Sequence, residues 1–396
     1  MSRRITHVGG MLVLAASMLV SGCTDLPSRP LQPSQPSSPQ LSAVKFWDVN
    51  ASTRWNVRTV ALLALRPPAN GQAAASRILT YLSLAQYRAV LAAEAGKEKA
   101  SHPSVAAAVG GASVAVLRSF FPLDITNIEG YLDADLAAPQ WPGERHMDQA
   151  AGEAIGRAVG AAVLAQAATD NYLVVPTGSP PVGPGYWVPN GPIVRSLHGV
   201  RPFFLTSPSQ LRAPVPPVFG SAEFLAALAE IRAISDTRTP EQLALAQYWN
   251  TGAGPFTAAS LNLIADEMIR AHHRTEREAA RILAYANAAA FDAQIACWDS
   301  KLFYWYIRPA QADPAITLPI GVPNHPAYPS GHSCITGAIM SVLIDAFPSE
   351  REQLEGYITQ AGLSRMYAGI HYRFDVVAGQ NIGRGAAALA LAGSLE

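Results

Sequence analysis

The chain has 396 residues, 49% of them hydrophobic and 15% charged, and its 29 basic and 29 acidic side chains cancel to a formal net charge of zero. That balance argues against a nucleic-acid partner and against a polybasic membrane-binding surface, because both need a broad positive field. Three cysteines are too few for a disulfide framework, and the apolar content suits a large packed core.

At the N-terminus Arg3 and Arg4 precede an apolar run from Val8 to Val20, which ends in Val20-Ser21-Gly22-Cys23. A short basic region, a short apolar core and small residues before a cysteine look like a lipoprotein signal over residues 1–22, with Cys23 as the lipidated residue. A plain signal peptide or a membrane anchor is the alternative. Under the lipoprotein reading the protein is exported and touches a membrane only through the lipid on Cys23. Thr24, in place of an acidic residue, favours the outer membrane, facing the periplasm or the cell surface. Residues 23–42 are rich in Pro, Ser and Gln and read as a flexible tether. Behind it lie an N-terminal helical portion, 43–235, and a helical bundle carrying the site, 236–396.

The body reads as nearly all helix. Apolar periodicity and start signals predict helices over 57–66, 72–96, 103–120, 147–169, 221–234, 240–250, 257–307, 332–347, 350–366 and 374–393. Thr239-Pro240-Glu241-Gln242 combines a cap, a proline at the first helical position and a capping-box glutamine. The run over 257–307 is too long for one ordinary helix and is expected to break once. Between Tyr172 and Ser221 prolines crowd into a long connection expected to wall the site. The apolar runs are interrupted, by Arg118, by Glu153 and Arg157, and by Arg384, so the body is expected to be soluble rather than membrane-spanning. His272 and His273 are adjacent. On a helix they diverge by about 100 degrees and cannot share one ion, which leaves them as part of a basic face with Arg270, Arg274 and Arg277.

Three clusters between Lys301 and Asp375 carry the chemistry. Lys301 and Arg308 are seven apart, so one helix face would project both, and Pro309 would end that helix. Pro329-Ser330-Gly331-His332 reads as a turn into a helix whose free N–H groups attract an anion. Gly331 lets the backbone approach the ligand, and His332 in the first turn points toward it. Ser364-Arg365 is followed by His371 and Asp375 at i and i+4, a spacing that lets the carboxylate hold one ring nitrogen and leave the other free. Arg365 offers a planar fork for an oxyanion. Three cations, a hydroxyl, helix N–H groups and two histidines suit phosphoryl transfer or a bound metal oxyanion.

Written as spacing, these clusters are K-x6-R-P, P-S-G-H and S-R-x5-H-x3-D, and they resemble the signature of the type 2 phosphatidic acid phosphatase and vanadium-dependent haloperoxidase superfamily. The strict signature covers about the last quarter of the chain. Weaker likeness to bacterial haloperoxidase-like proteins extends over Glu241 to Asn262 and, more closely, Ala284 to Lys301. The resemblance implies an all-α fold of helical bundles, with a C-terminal four-helix bundle carrying the site. It implies that Lys301, Arg308 and Arg365 neutralise the equatorial oxyanion oxygens, with Ser330 and the Gly331 N–H adding hydrogen bonds. His371 would be the vanadate ligand in a peroxidase or the phosphorylated nucleophile in a phosphatase. Asp375 would orient it, and His332 would be the acid–base group.

His325 lies seven before His332, where bromoperoxidases of this family carry a histidine; a plain loop histidine is the alternative. Trp298 stands where an aromatic packs near the anion, and Ser364 neighbours Arg365. Cys297 and Cys334 flank site elements and read as buried free thiols, with a disulfide as the alternative. The resemblance favours a haloperoxidase that uses vanadate, hydrogen peroxide and a halide. An acid phosphatase acting on phosphomonoesters without a cofactor is the alternative, and a non-catalytic oxyanion-binding lipoprotein is a third reading.

Overall fold

The computed structural model describes residues 50–96, 102–138, 147–173, 179–193, 196–252 and 256–396. The signal, Cys23 and the tether lie outside the described residues. Among those described there are thirteen α-helices and no strand, and none of the helices is long and apolar enough to cross a membrane. The N-terminal helices are α1 (Ala51–Leu65), α2 (Gly71–Gly96), α3 (Val105–Phe120), α4 (Ile125–Ala137) and α5 (Gln149–Ala168). After the proline-rich connection come α6 (Ala222–Thr237), α7 (Pro240–Gln247), α8 (Thr257–Ala271) and α9 (Glu276–Tyr304). The short α10 (Pro309–Ala312), then α11 (Gly331–Ala346), α12 (Arg351–Tyr367) and α13 (Arg373–Ala392), complete the chain.

Helix α9 is the shared wall. It packs on α2 on one side and on α11 and α13 on the other, so one buried cluster runs from Ala51 to Leu395. Its 29 residues include twenty that are buried, which explains why its sequence lacks a clear polar face. Polar groups inside this core include pairs that reach across elements: Asn262 and Asn287 exchange side-chain bonds at 2.8 and 2.9 Å, and Asn56 donates to Asp266 at 2.8 Å.

Two parallel helix pairs approach unusually closely because glycine faces the partner. In α3–α5, a Cβ on Gly156 would lie 1.9 Å from the carbonyl oxygen of Ala108. In α11–α13, a Cβ on Gly383 would lie 2.5 Å from that of Cys334. Only glycine permits either contact.

Several expected boundaries move for identifiable reasons. Helix α1 starts at Ala51 rather than 57, because the distant Glu276 carboxylate accepts from the N–H groups of Ala51 (2.6 Å) and Ser52 (3.0 Å). Helix α4 was not expected; it has no side-chain cap hydrogen bond at Asp124, so it lacks a start signal. The long run over 257–307 does break once. Thr275 and Glu278 form a capping box that starts α9, and His272 and His273 fall in the break, with His273 at φ 48°. They do not form a helical basic face: His272 contacts Glu350 at 3.1 Å and packs on Phe347. The expected helix over 240–250 ends at Gln247 and continues as one π turn, Tyr248–Gly252.

Candidate oxyanion site

Lys301, at the end of α9, is fully buried and donates to the carbonyls of Pro326 (2.7 Å) and Ala327 (2.9 Å). Arg308 does not share its helix. Helix α9 stops at Tyr304, Trp305 caps it in the left-handed conformation, and Arg308 is the extended N-cap of α10, with Pro309 starting that helix rather than ending the previous one. The reversal at Trp305 brings the two cations into one cage all the same. Arg308 is 1% exposed and is locked by main-chain and ring contacts that include Nε to His325 O at 3.0 Å, Nη1 to Ile370 O at 2.7 Å, and Nη2 to His325 Nδ1 at 3.0 Å.

The third cation, Arg365, comes from α12. Its Nε donates to Ser364 Oγ at 2.9 Å and its Nη2 to Ala246 O at 3.0 Å. Thus Ser364 orients Arg365, and Arg365 makes no carboxylate ion pair among the described residues. Ser330 is the N-cap of α11, and its N–H donates to Asp375 O at 2.9 Å, which aligns the starts of α11 and α13. Gly331, beside it, has nothing within 4 Å of the place a Cβ would occupy. The side of α11 that begins the helix is therefore open.

His371 precedes α13, as the expected helix start at 374 implied, and Tyr372 is the N-cap. The expected partnership forms: Nδ1 and Asp375 Oδ2 are 2.8 Å apart, and Oδ2 also accepts from Tyr372 N at 3.1 Å. On the other side, Arg308 Nη1 lies 3.2 Å from Nε2. A guanidinium only donates, so Nε2 is the lone-pair atom and the proton sits between Nδ1 and Asp375. Burial, then Arg308 and Lys301, hold the His371 ring neutral, well below its usual range. Burial pushes the Asp375 carboxyl up to about 7 against the pull of Lys301 and Arg308. The pair shares one proton.

Burial also pulls Lys301 down to about 8, Arg308 to about 10 and Arg365 to about 9, which leaves all three charged at neutral pH. Three buried cations face one buried carboxylate, and that carboxylate is occupied by His371. Such an arrangement is costly unless an anion joins it. The residues therefore fit a tetrahedral dianion such as vanadate or phosphate: the cations and helix N–H groups for its oxygens, and Nε2 of His371 for its central atom.

His332 and His325 complete the rim. His332, in the first turn of α11, is held at Nε2 by the carbonyl of Trp249 at 3.2 Å, and burial followed by Arg365 lowers it well below its usual range. His325 is lowered likewise, by burial and then Lys301, and its ring lies 5.0 Å from that of Trp298. His325 thus lies against Arg308 and Trp298 at the cage. Cys297 and Cys334 are free and buried. The proline-rich connection does wall the site-bearing segment: Trp187 N donates to Trp305 O at 2.7 Å, Asn190 N to Asn324 at 3.0 Å, and Tyr328 Oη to Pro214 O at 2.7 Å. The carbonyl acceptors from Ala246, Trp249, Pro326, Ala327 and Ile370 were not foreseen, since a main-chain oxygen has no residue signature.

An all-α scaffold with a cationic cage where α9, α10, α11, α12 and α13 meet defines the class. Residues 279–394 match the model of the PAP2 superfamily, which agrees with the signature read from Lys301 to Asp375. The fold is similar to the crystal structure described as the first bacterial vanadium-dependent iodoperoxidase, with a TM-score of 0.72 at 21% identity over 87% of this chain and 96% of that one. It is similar to a bacterial vanadium-dependent chloroperoxidase in the holo form, TM-score 0.66 at 17% identity over 83% and 93% of the two chains. The apo form gives 0.66 at 15% identity over 81% and 94%. These likenesses span both helical portions and establish the fold. No curated protein matches the sequence.

Proposed function

We propose that the protein is a vanadate-dependent haloperoxidase. The observation that carries the reading is the cage itself: Lys301, Arg308 and Arg365 are all buried, and Arg308 reaches a neutral His371 whose Nε2 lone pair is free of any proton. His325 beside Arg308, Trp298 beside His325, and a fold similar to bacterial vanadium-dependent peroxidases over both helical portions support peroxidase over phosphatase chemistry.

Lys301, Arg308 and Arg365 would hold the vanadate oxygens, Ser330 and the Gly331 N–H would add hydrogen bonds, and His371 Nε2 would be the protein ligand. When bound, vanadate supplies Lewis-acid activation of hydrogen peroxide toward a two-electron oxidation of halide. The net reaction takes halide, peroxide and a proton to hypohalous acid and water, and His332 is placed to hold that proton at the rim. Asp375 keeps the His371 proton on Nδ1, and the buried cations stabilise negative charge without reorganising.

A second reading is an acid phosphatase, favoured by the PAP2 match over the segment that holds the cage. Nε2 of His371 would attack phosphorus as the P–O bond to the leaving alcohol breaks, His332 would protonate that oxygen, and water would then cleave the P–N bond. One experiment separates the readings. Protein purified without phosphate is assayed with and without orthovanadate for bromination of a phenolic dye by peroxide and bromide, beside p-nitrophenyl phosphate hydrolysis. Vanadate-dependent bromination that falls at least about 10⁴-fold in His371→Ala is expected. Hydrolysis inhibited by vanadate, with no bromination, assigns the phosphatase. Silence in both leaves the oxyanion-binding protein. We also infer that the chain is exported and lipid-anchored at Cys23; mass spectrometry of the mature N-terminus tests this, and an unmodified Cys23 would refute it.

A further inference from the structure

Two hydrogen bonds reach the cage from outside residues 279–394, and both come from the end of one short helix. Ala246, in the last turn of α7, accepts from Arg365. Trp249, in the π turn that follows, accepts from His332. A π turn widens the hydrogen-bond ladder by one residue, and such turns recur at functional sites. This one is anchored: the Trp249 side chain is 4% exposed, and just before α7 Arg238 Nε donates to Tyr367 O at 2.7 Å, at the end of α12.

We propose that the π turn Tyr248–Gly252 is a positioning element for the acid–base histidine, in which the Trp249 carbonyl holds His332 as the Nε2–H tautomer and leaves Nδ1 as the ring atom that takes a proton. The argument is one of donor and acceptor types. A carbonyl oxygen only accepts, so Nε2 must carry hydrogen. The other groups that face His332 are Arg365 from α12, Arg308 at the start of α10, Lys301 from α9, His325 and His371. Three of these are cations that oppose protonation of His332, and the Trp249 carbonyl is the contact that favours it. The two site histidines are thereby set apart. His371 leans on a carboxylate, which favours nucleophile or ligand work, whereas His332 leans on a neutral carbonyl, which keeps it a weak base able to release its proton again.

The tautomer assignment does not depend on the proposed reaction; only the acid–base role of His332 does. Full-length protein labelled with 15N-histidine and examined by long-range proton–nitrogen NMR near neutral pH is expected to show His332 as neutral Nε2–H, assigned through a His332→Gln control. An Nδ1–H or charged His332 overturns the proposal, whatever the activity. Deletion of the exposed Asn250, which regularises the turn, is expected to mix the His332 tautomers and lower kcat about 30-fold. It should also move the pH limb that reports His332 to lower pH, while vanadate affinity by calorimetry stays within about threefold. An unchanged tautomer and pH limb in the folded deletion variant overturns it as well. If the deletion prevents folding, the wild-type spectrum decides alone. If neither bromination nor hydrolysis is found, the spectrum still reports on the turn.

Discussion

Helices α3 and α5 run parallel with their backbones in near contact at Gly156, and α11 and α13 do the same at Gly383. In each pair the two helices also begin side by side: Ser104 N donates to Asp148 O at 2.9 Å, and Ser330 N to Asp375 O at 2.9 Å. Both therefore concentrate two positive helix ends in one place. They differ in what meets that charge. The start of α5 carries its own anion, the Asp148 carboxylate, which accepts from Ala151 N at 2.9 Å in an exposed position. The start of α11 carries a neutral serine, the Asp375 carboxylate is turned onto His371, and three buried cations add to the positive field. One packing device thus serves as plain core in the first pair and carries the candidate site in the second, and the placement of a carboxylate together with the three buried cations separates them.

The comparison is broken most severely by closing the gap between the backbones. Gly156→Ala should cost about 3 kcal/mol of folding stability by overpacking, yet leave vanadate affinity of the folded protein unchanged. Gly383→Ala should cost a similar amount and also weaken vanadate binding, because it parts Ser330 from Asp375; denaturation and calorimetry read the two effects separately. Next in size is Ser330→Asp, which gives α11 the anion that α5 already has. Like-charge opposition should then lower oxyanion affinity about 100-fold with the fold intact, and an unchanged affinity would show that this helix start does not face the anion.

A pH titration sharpens the contrast further. Burial holds Lys301 at about 8, below the 10.5 of a free lysine, so between those values the unfolded chain binds more protons than the folded one. Anion-free stability should therefore rise by about 3 kcal/mol as pH climbs from about 8 to about 10.5, while oxyanion affinity falls over the same window. Lys301→Met should remove the part of the rise that sets in near pH 8, leaving the part that Arg365 and Arg308 add above about 9 and 10. The smallest change is expected for Asp148→Asn, which keeps a good cap and removes only an exposed charge: melting should report no more than about 0.5 kcal/mol.

The sequence made the cage side chains legible because chemistry restricts them: only a few residue types donate to, or attack at, an oxyanion. Their spacing was less informative about their supports. Lys301 and Arg308 looked like one helix face, but Trp305 reverses the chain between them. His371 and Asp375 pair as their spacing suggested, with Tyr372 capping the helix after His371, close to the expected start at 374. In both places the side chains meet as the spacing suggested, and only between Lys301 and Arg308 does the backbone take a different path. The start of α1 on Glu276 and the grip of Trp249 on His332 depend on contacts across 225 and 83 residues, which no local pattern contains. Helix α4 escaped notice for the opposite reason, since it lacks both a cap bond and a wide apolar stripe, burying only Ile128, Leu132 and Asp135.

The position of α9 between the two bundles has a consequence for how the protein is made. Helices α2, α3 and α5 are complete once residue 168 has emerged, but the wall that covers α2 begins at Glu276. At ordinary synthesis rates of about 5–20 residues per second the delay is on the order of ten seconds. During that interval the apolar side of α2 has no lid. Nascent chains halted before Glu276 should bind a holdase chaperone, and chains extended past Tyr304 should release it.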